Sequence, residues 1–168
     1  MDEKITLTHW EFWRCVQVAN LRMAVANSRG MNHAISTHRP LLQRLREEVI
    51  GACGECAVAK YLGRYWAPLE ELDRFHDVPD VLPNIEVRST HHDKGKLTMY
   101  PTDKRDRIYI CVTGEPPNMT IRGYRRGAEC FRDEWKVTPE DEPGNQRNIW
   151  RIPQSELHPI PDTAKLSA

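Results

Sequence analysis

The sequence predicts an α+β fold, and three features of its pattern support this. Two long stretches repeat apolar residues at helical spacing, residues 8–28 and 40–62. Four shorter runs rich in β-branched and aromatic residues follow, at 85–90, 97–101, 107–112 and 119–124. The links between these runs are short and turn-like, which favours antiparallel neighbours. Helices followed by a largely antiparallel sheet are typical of α+β proteins.

Local signals set the ends of both predicted helices. Thr8 and Glu11 have the spacing of a capping box, in which each side chain bonds to the other residue's backbone N–H. Ser28-Arg29-Gly30 is expected to end the first helix. Pro40 suits the first turn of the second helix, since its missing N–H is not needed there, and Gly63 ends that helix.

The length of 168 residues is enough for one domain with a buried core. We expect a single domain over residues 1–160. Within it, residues 1–38 would form an N-terminal helical extension and residues 41–130 the core. A short last strand is predicted near 149–153. Residues 161–168 are expected to form a flexible tail.

Composition excludes several classes of protein. The chain carries 24 basic and 24 acidic residues, so its formal net charge is zero. A constitutive, tight DNA-binding protein would usually be more basic, whereas an enzyme needs only a local basic strip. No run of eighteen apolar residues predicts a membrane span, and Met1–Lys4 lacks the apolar segment of a secretory signal. Five irregularly spaced cysteines argue against a disulfide framework and favour the cytoplasm.

The chemistry-bearing residues concentrate around the first predicted strand. Residues two apart on a strand share a face, so Glu86 and Arg88 are expected to point together, away from Ile85 and Val87. Asp80 precedes this strand, beyond a Pro-Asn turn, and its carboxylate can approach Glu86. Two carboxylates and a phosphate oxygen can hold Mg²⁺. Such an ion makes a bound water more acidic and stabilises charge on a phosphate.

The motif Pro79-Asp80 … Glu86-Val87-Arg88 resembles the core motif of the PD-(D/E)XK nuclease superfamily, especially its small phage-encoded members. The segment Gly54–Gly63 is similar to the helix that precedes the central sheet in that superfamily and carries a further acid, here Glu55. The resemblance covers residues 41–130. It implies a restriction-endonuclease-like core, with N-terminal helices packed on a mixed, largely antiparallel central sheet.

The resemblance also implies an activity, which is hydrolysis of DNA phosphodiester bonds by a Mg²⁺- or Mn²⁺-dependent endonuclease. The expected setting is the cytoplasm of a bacterium or of a phage-infected host cell. Glu55, Asp80 and Glu86 would hold the metal, with Asp77 in reserve for the position of Asp80. Arg88 would complete the catalytic set by binding the scissile phosphate.

Arg88 stands where the family usually has lysine. Arginine stays protonated at neutral pH and binds phosphate with two parallel hydrogen bonds, but it cannot accept a proton. The alternative is therefore a catalytically inactive nuclease-fold module that binds DNA or a protein partner.

A second basic stretch supplies candidates for nucleic-acid binding. Arg122, Tyr124, Arg125 and Arg126 could follow a phosphate backbone, with Tyr124 stacking on a base. A solvated strand end is the competing interpretation.

Two other patterns favour structural roles. Cys53 and Cys56 form a CxxC, but it lies inside a helical pattern with no second ligand pair, which argues against zinc. Trp10 and Trp13 share a helix face and favour core packing or a subunit interface over base stacking. A homodimer is therefore left open.

Overall fold

The computed structural model describes residues 2–28, 40–66, 68, 78–138 and 148–160. Asp77 and the predicted tail at 161–168 lie outside these residues. The helices and strands are β1 (Glu3–Thr6), α1 (His9–Ser28), α2 (Leu41–Tyr61), β2 (Ile85–Thr90), β3 (Leu97–Met99), β4 (Ile108–Glu115), β5 (Asn118–Arg126), β6 (Lys136–Val137) and β7 (Ile149–Ile152).

Both predicted helices are confirmed, with α1 ending at Ser28; Arg29 and Gly30 of its predicted stop signal lie outside the described residues. Thr8 N–H donates to Glu11 Oε2 at 2.6 Å, and Glu11 N–H donates to Thr8 Oγ1 at 3.3 Å, which completes the capping box. The second helix follows Pro40 and ends before Gly63, whose φ of 63° lies in the left-handed region that favours glycine.

The strands form a four-stranded sheet in the order β1-β5-β4-β2 and a three-stranded sheet in the order β3-β7-β6. In the larger sheet β2 runs parallel to β4, while the other two pairings are antiparallel. The expected α+β class, with a mixed and largely antiparallel central sheet, is therefore confirmed. The pattern does not predict β1, whose four residues are too few and too charged to show a clear alternation.

The prediction that neighbouring runs pair with one another is wrong for β3, which leaves the central sheet and pairs with β7. The reason is that β4 is buried on both faces. Ile108, Ile110 and Val112 pack in the core beneath the helices, whereas Tyr109 and Cys111 pack in a second core with the apolar residues of β3 and β7. The smaller sheet covers the second face of β4.

A close contact between α2 and β2 positions the first functional candidate. A Cβ atom on Gly54 would lie only 1.8 Å from Ser89 Oγ and 3.0 Å from Ser89 Cβ. The helix can therefore approach the strand this closely only because residue 54 has no side chain. The next residue along the helix is Glu55, which is thereby held against the strand.

Alanine substitution at two helical glycines tests this contact. Gly54→Ala should leave the protein about 1–3 kcal/mol less stable than Gly51→Ala, because the added methyl group must displace Ser89. Gly51 is the matched control, since a Cβ atom added there would meet no other atom within 4 Å and both variants gain the same helix propensity of up to about 1 kcal/mol. The measurement is the free energy of unfolding in urea. Equal stability of the two variants would contradict the packing.

Candidate functional site

Two of the three sequence-predicted acids are buried. Glu55 is 6% exposed and Glu86 is 9% exposed, although acidic side chains are seldom buried without a partner. Each of the two has an arginine partner from a distant part of the chain, Arg22 for Glu55 and Arg107 for Glu86. Asp80 is half-buried.

Glu55 is held by two side chains outside the predicted set. Arg22 of α1 donates from Nη1 to Oε1 at 2.7 Å and from Nη2 to Oε2 at 2.8 Å, and Trp66 Nε1 donates to Oε2 at 3.2 Å. Burial raises the pKa of Glu55, as does the nearby charge of Asp80, while Arg22 and Trp66 act to lower it. The sequence could have indicated that Arg22 faces the interior, because it falls on the same helix face as the buried Val18 and Ala19.

Asp80 links the turn before β2 to the strand itself. Its Oδ2 accepts a hydrogen bond of 2.6 Å from Val87 N–H. The negative charge of Asp80 contributes to raising the pKa of Glu55 and also that of Arg88. Asp80 therefore lies within electrostatic reach of both.

Glu86 points to the opposite side of the sheet from α2. In the parallel register Glu86 lies beside Tyr109, which belongs to the second core. Arg107 Nη1 donates to Glu86 Oε1, and Arg88 Nη1 lies 3.8 Å from Glu86 Oε2, as expected for a shared strand face. Burial raises the pKa of Glu86, and the charges of Arg88 and Arg107 act in the other direction.

Arg88 is fixed by a carboxylate that the sequence reasoning missed. Its Nη2 donates to Asp103 Oδ1 at 2.8 Å, and Asp103 Oδ2 accepts from Tyr100 N–H at 2.8 Å. Its guanidinium carbon also lies 5.4 Å from the ring centre of Tyr109. The charges of Asp103, Asp80 and Glu86 raise the pKa of Arg88, against the effect of burial. Asp103 lies in a short turn between strands, where the sequence gives no sign of its partner.

The predicted residues therefore do not form a compact three-carboxylate cage. Within the described residues no three His, Cys, Asp or Glu side chains converge as a metal ligand set. Glu55 comes from the helix side of β2, Glu86 lies on the other side, and Asp80 acts electrostatically on Glu55 and on Arg88. A pair of carboxylates is still sufficient for Mg²⁺, which usually keeps several waters and takes its remaining ligands from a substrate phosphate.

The four nucleic-acid candidates of β5 do not line one continuous basic face. Arg122 donates to Thr113 Oγ1 at 2.7 Å and pairs with Asp2 and Asp93. Arg125 is buried and donates from Nε to the backbone oxygen of Glu156 at 2.7 Å.

The other two candidates of β5 differ in exposure. Tyr124 packs against the central core and lies 5.5 Å from the ring of His158, whereas Arg126 is exposed. Successive residues of a strand point to opposite faces, and both faces are covered here, since Tyr124 packs against the central core and Arg125 lies 4.7 Å from the ring centre of Trp135 in the second core.

Cys53 and Cys56 are buried, with free thiols, as the structural interpretation of the CxxC requires. Hydrogen bonding with Cys53 raises the pKa of Cys15, hydrogen bonding with Cys15 raises that of Cys56, and burial adds to both effects. The thiols of Cys15 and Cys56 therefore remain protonated at neutral pH and act as packing groups.

Core packing is the wrong interpretation for the two tryptophans of α1. Trp10 is 80% exposed and Trp13 is 49% exposed. The helix instead buries the face that carries Cys15, Val18 and Ala19. A subunit interface at the tryptophans stays a prediction.

No protein-family model, curated protein or solved structure matches the chain. In the described part of the chain, neither helix combines the length and the apolar character needed to cross a membrane.

Removal of the arginine that holds Glu55 should destabilise the protein strongly. Arg22→Met is expected to lower the free energy of unfolding at neutral pH by about 3–5 kcal/mol, because a buried carboxylate loses its partner. The pKa of Glu55, already raised by burial, then rises further. A group with a higher pKa in the folded state contributes stability at low pH and loses it as the pH rises through that pKa. The deficit should therefore shrink as the pH falls from about 7 to about 5.

Urea unfolding followed by circular dichroism at the two pH values measures this effect. Arg46→Met is the matched control, since it removes an arginine whose ion pair with Glu115 is exposed. Its effect should stay within about 1 kcal/mol at both pH values. Equal effects of the two substitutions would show that the Arg22–Glu55 pair does not compensate a buried charge.

Proposed function

We propose that this chain is a metal-dependent nuclease that hydrolyses DNA phosphodiester bonds, in the manner of the PD-(D/E)XK proteins that its motif resembles. The observation that carries the proposal is the gathering of Glu55, Asp80, Glu86 and Arg88 around one edge strand, with two of the acids buried. Burial of such charges is costly even when they are paired. Shifted pKa values with specific charged partners are typical of functional sites.

Glu55 and Asp80 would hold a Mg²⁺ or Mn²⁺ ion. When bound, the ion makes a coordinated water more acidic and stabilises negative charge on the phosphate. Burial raises the pKa of Glu55, and the negative charge of Asp80 raises it further, so the two carboxylates repel each other. A cation shared between them would relieve that repulsion.

Arg88 would bind and orient the phosphate. Asp103 and Glu86 fix its two terminal nitrogens, so the guanidinium is held in place before substrate arrives. Its Nε–H is buried and has no hydrogen-bond partner in the described part of the chain, which leaves one donor for a phosphate oxygen. Because arginine stays protonated, Arg88 would not take the proton of the attacking water.

The second candidate function is an inactive nuclease-fold module that binds DNA or a protein partner. A specific observation favours it: Arg22 engages both oxygens of Glu55, and Arg107 and Arg88 neutralise Glu86. Arginine side chains thereby compensate two of the three predicted ligands without a metal. Arg88, which stands where the family usually has lysine, also favours an inactive module.

Cleavage assays test the first candidate. Wild-type protein is expected to cut plasmid and single-stranded DNA with Mg²⁺ or Mn²⁺, and Asp80→Asn should lower the rate by about 100-fold or more, because it removes a charge from the site. Glu115→Gln is the matched control, since Glu115 is exposed and far along the chain from the cluster, and should cut at the wild-type rate. Wild-type protein as inert as Asp80→Asn with both metals would overturn catalysis.

Calorimetric titration with Mn²⁺ separates the two candidates. We expect one binding event that is lost in Asp80→Asn and retained in Glu115→Gln. If DNA binding persists while Mn²⁺ binding is undetectable, the inactive module is the better description. Cleavage that begins only in Arg88→Lys would support that description as well, because lysine restores a group able to exchange protons.

A further inference from the structure

A small cavity of about 150 Å³ lies beside Arg88, on the side away from α2. Two strands of different sheets contribute to its walls. Arg88 and Thr90 are alternate residues of β2, and Lys96, Thr98 and Tyr100 are alternate positions along β3 and its flanks. Alternate residues share a face of a strand, so each strand turns one polar face to the cavity.

Every residue that lines this cavity carries a hydrogen-bond donor in its side chain. Its six residues are Arg88, Ser89, Thr90, Lys96, Thr98 and Tyr100. They offer cations and hydroxyl groups, and none of them is an acid. The hydroxyl of Ser89 is directed elsewhere, into the space beside Gly54 on α2. Arg88 is already paired with Asp103 and Glu86, so Lys96 is the cation of the lining whose charge is not balanced by an ion pair with the described residues.

The two cations of the cavity differ in how they are held. Arg88 is fixed by Asp103 and Glu86, and its buried Nε–H lacks a hydrogen-bond partner within the described residues. A buried donor without a partner is uncommon and calls for a ligand or water. Lys96 is exposed and forms no ion pair with the described residues. Its ammonium group can therefore turn toward a ligand without breaking a contact.

The size of the cavity limits the ligand to a single group. A volume of about 150 Å³ is well below the roughly 300–1,000 Å³ of pockets that enclose whole drug-sized ligands. It exceeds several-fold the roughly 30 Å³ share of one water molecule. Donors that approach from two strands suit a tetrahedral oxyanion better than a flat carboxylate.

We propose that this cavity is a phosphate-binding subsite, in which Arg88, Lys96, Thr98 and Tyr100 hold a phosphate group of a bound DNA strand. The inference rests on the proposed function and extends it, because it adds Lys96, Thr98 and Tyr100 to the residues that bind substrate. Along β2 the cavity follows directly after Glu86, with Arg88 shared between the acidic cluster and the subsite. A DNA strand that lies along this face would present neighbouring phosphates to Arg88 and to Lys96.

Binding measured without divalent metal tests the subsite independently of cleavage. The probes are inorganic phosphate, followed by NMR chemical shifts, and a fluorescent hexathymidylate with or without a 5′-phosphate, followed by anisotropy in EDTA. Lys96→Ala should weaken binding of these probes by about tenfold, since it removes a hydrogen bond to a charged group. Thr98→Val, which keeps the side-chain shape, should weaken binding by a few-fold.

Lys94→Ala is the matched control. Lys94 is exposed, lies two residues earlier and does not line the cavity, so its substitution removes the same charge without touching the subsite. A loss confined to the 5′-phosphorylated probe would assign the subsite to a terminal phosphate, and a loss with both oligonucleotides to an internal one. The proposal is overturned if wild-type protein binds no phosphate probe, or if Lys94→Ala and Lys96→Ala weaken binding equally. Phosphate binding in a protein without nuclease activity would leave the subsite standing and remove only the catalytic function.

Discussion

The close packing of α2 against β2 is the constraint on which the rest of the site depends. It is possible because Gly54 leaves room for the side chain of Ser89. This contact brings Glu55 to the strand that carries Glu86 and Arg88, although β2 begins 30 residues later in the sequence. A larger residue at position 54 would push the helix outward and separate the acid on the helix from the groups on the strand.

Once the acids are buried, charge compensation determines how the surrounding chain is arranged. Arg22 reaches Glu55 from α1, Arg107 reaches Glu86 from the start of β4, and Asp103 fixes Arg88 from a turn. Each of these ion pairs is partly or largely shielded from water, where the loss of one partner costs far more than at the surface. The same arginines compensate the acids in the absence of a metal. A metal-dependent nuclease would have to bind its ion in the presence of these arginines, whereas an inactive module would need no ion.

The second sheet gives the two sides of β2 different chemistry. On the helix side, burial and the charge of Asp80 raise the pKa of Glu55. On the other side, β3 brings Lys96, Thr98 and Tyr100 beside Arg88, and the lining suits an anion. The placement of β3 in a separate sheet thus creates the polar cavity that the proposed function uses.

Features that depend on neighbours along the chain were predictable from the amino-acid sequence. These are the capping box at Thr8, the ends of the helices at Pro40 and Gly63, the extent of β2 and the shared face of Glu86 and Arg88. Such features follow from hydrogen bonds within a few residues and from the two-residue period of a strand.

The groups that neutralise the acids, and the sheet that β3 joins, follow from long-range packing instead. The partners of Glu55, Glu86 and Arg88 lie 33, 21 and 15 residues away, respectively. No local pattern encodes contacts at those separations. They form because buried charges must be paired and because both faces of β4 must be covered, and these are requirements of the folded chain as a whole.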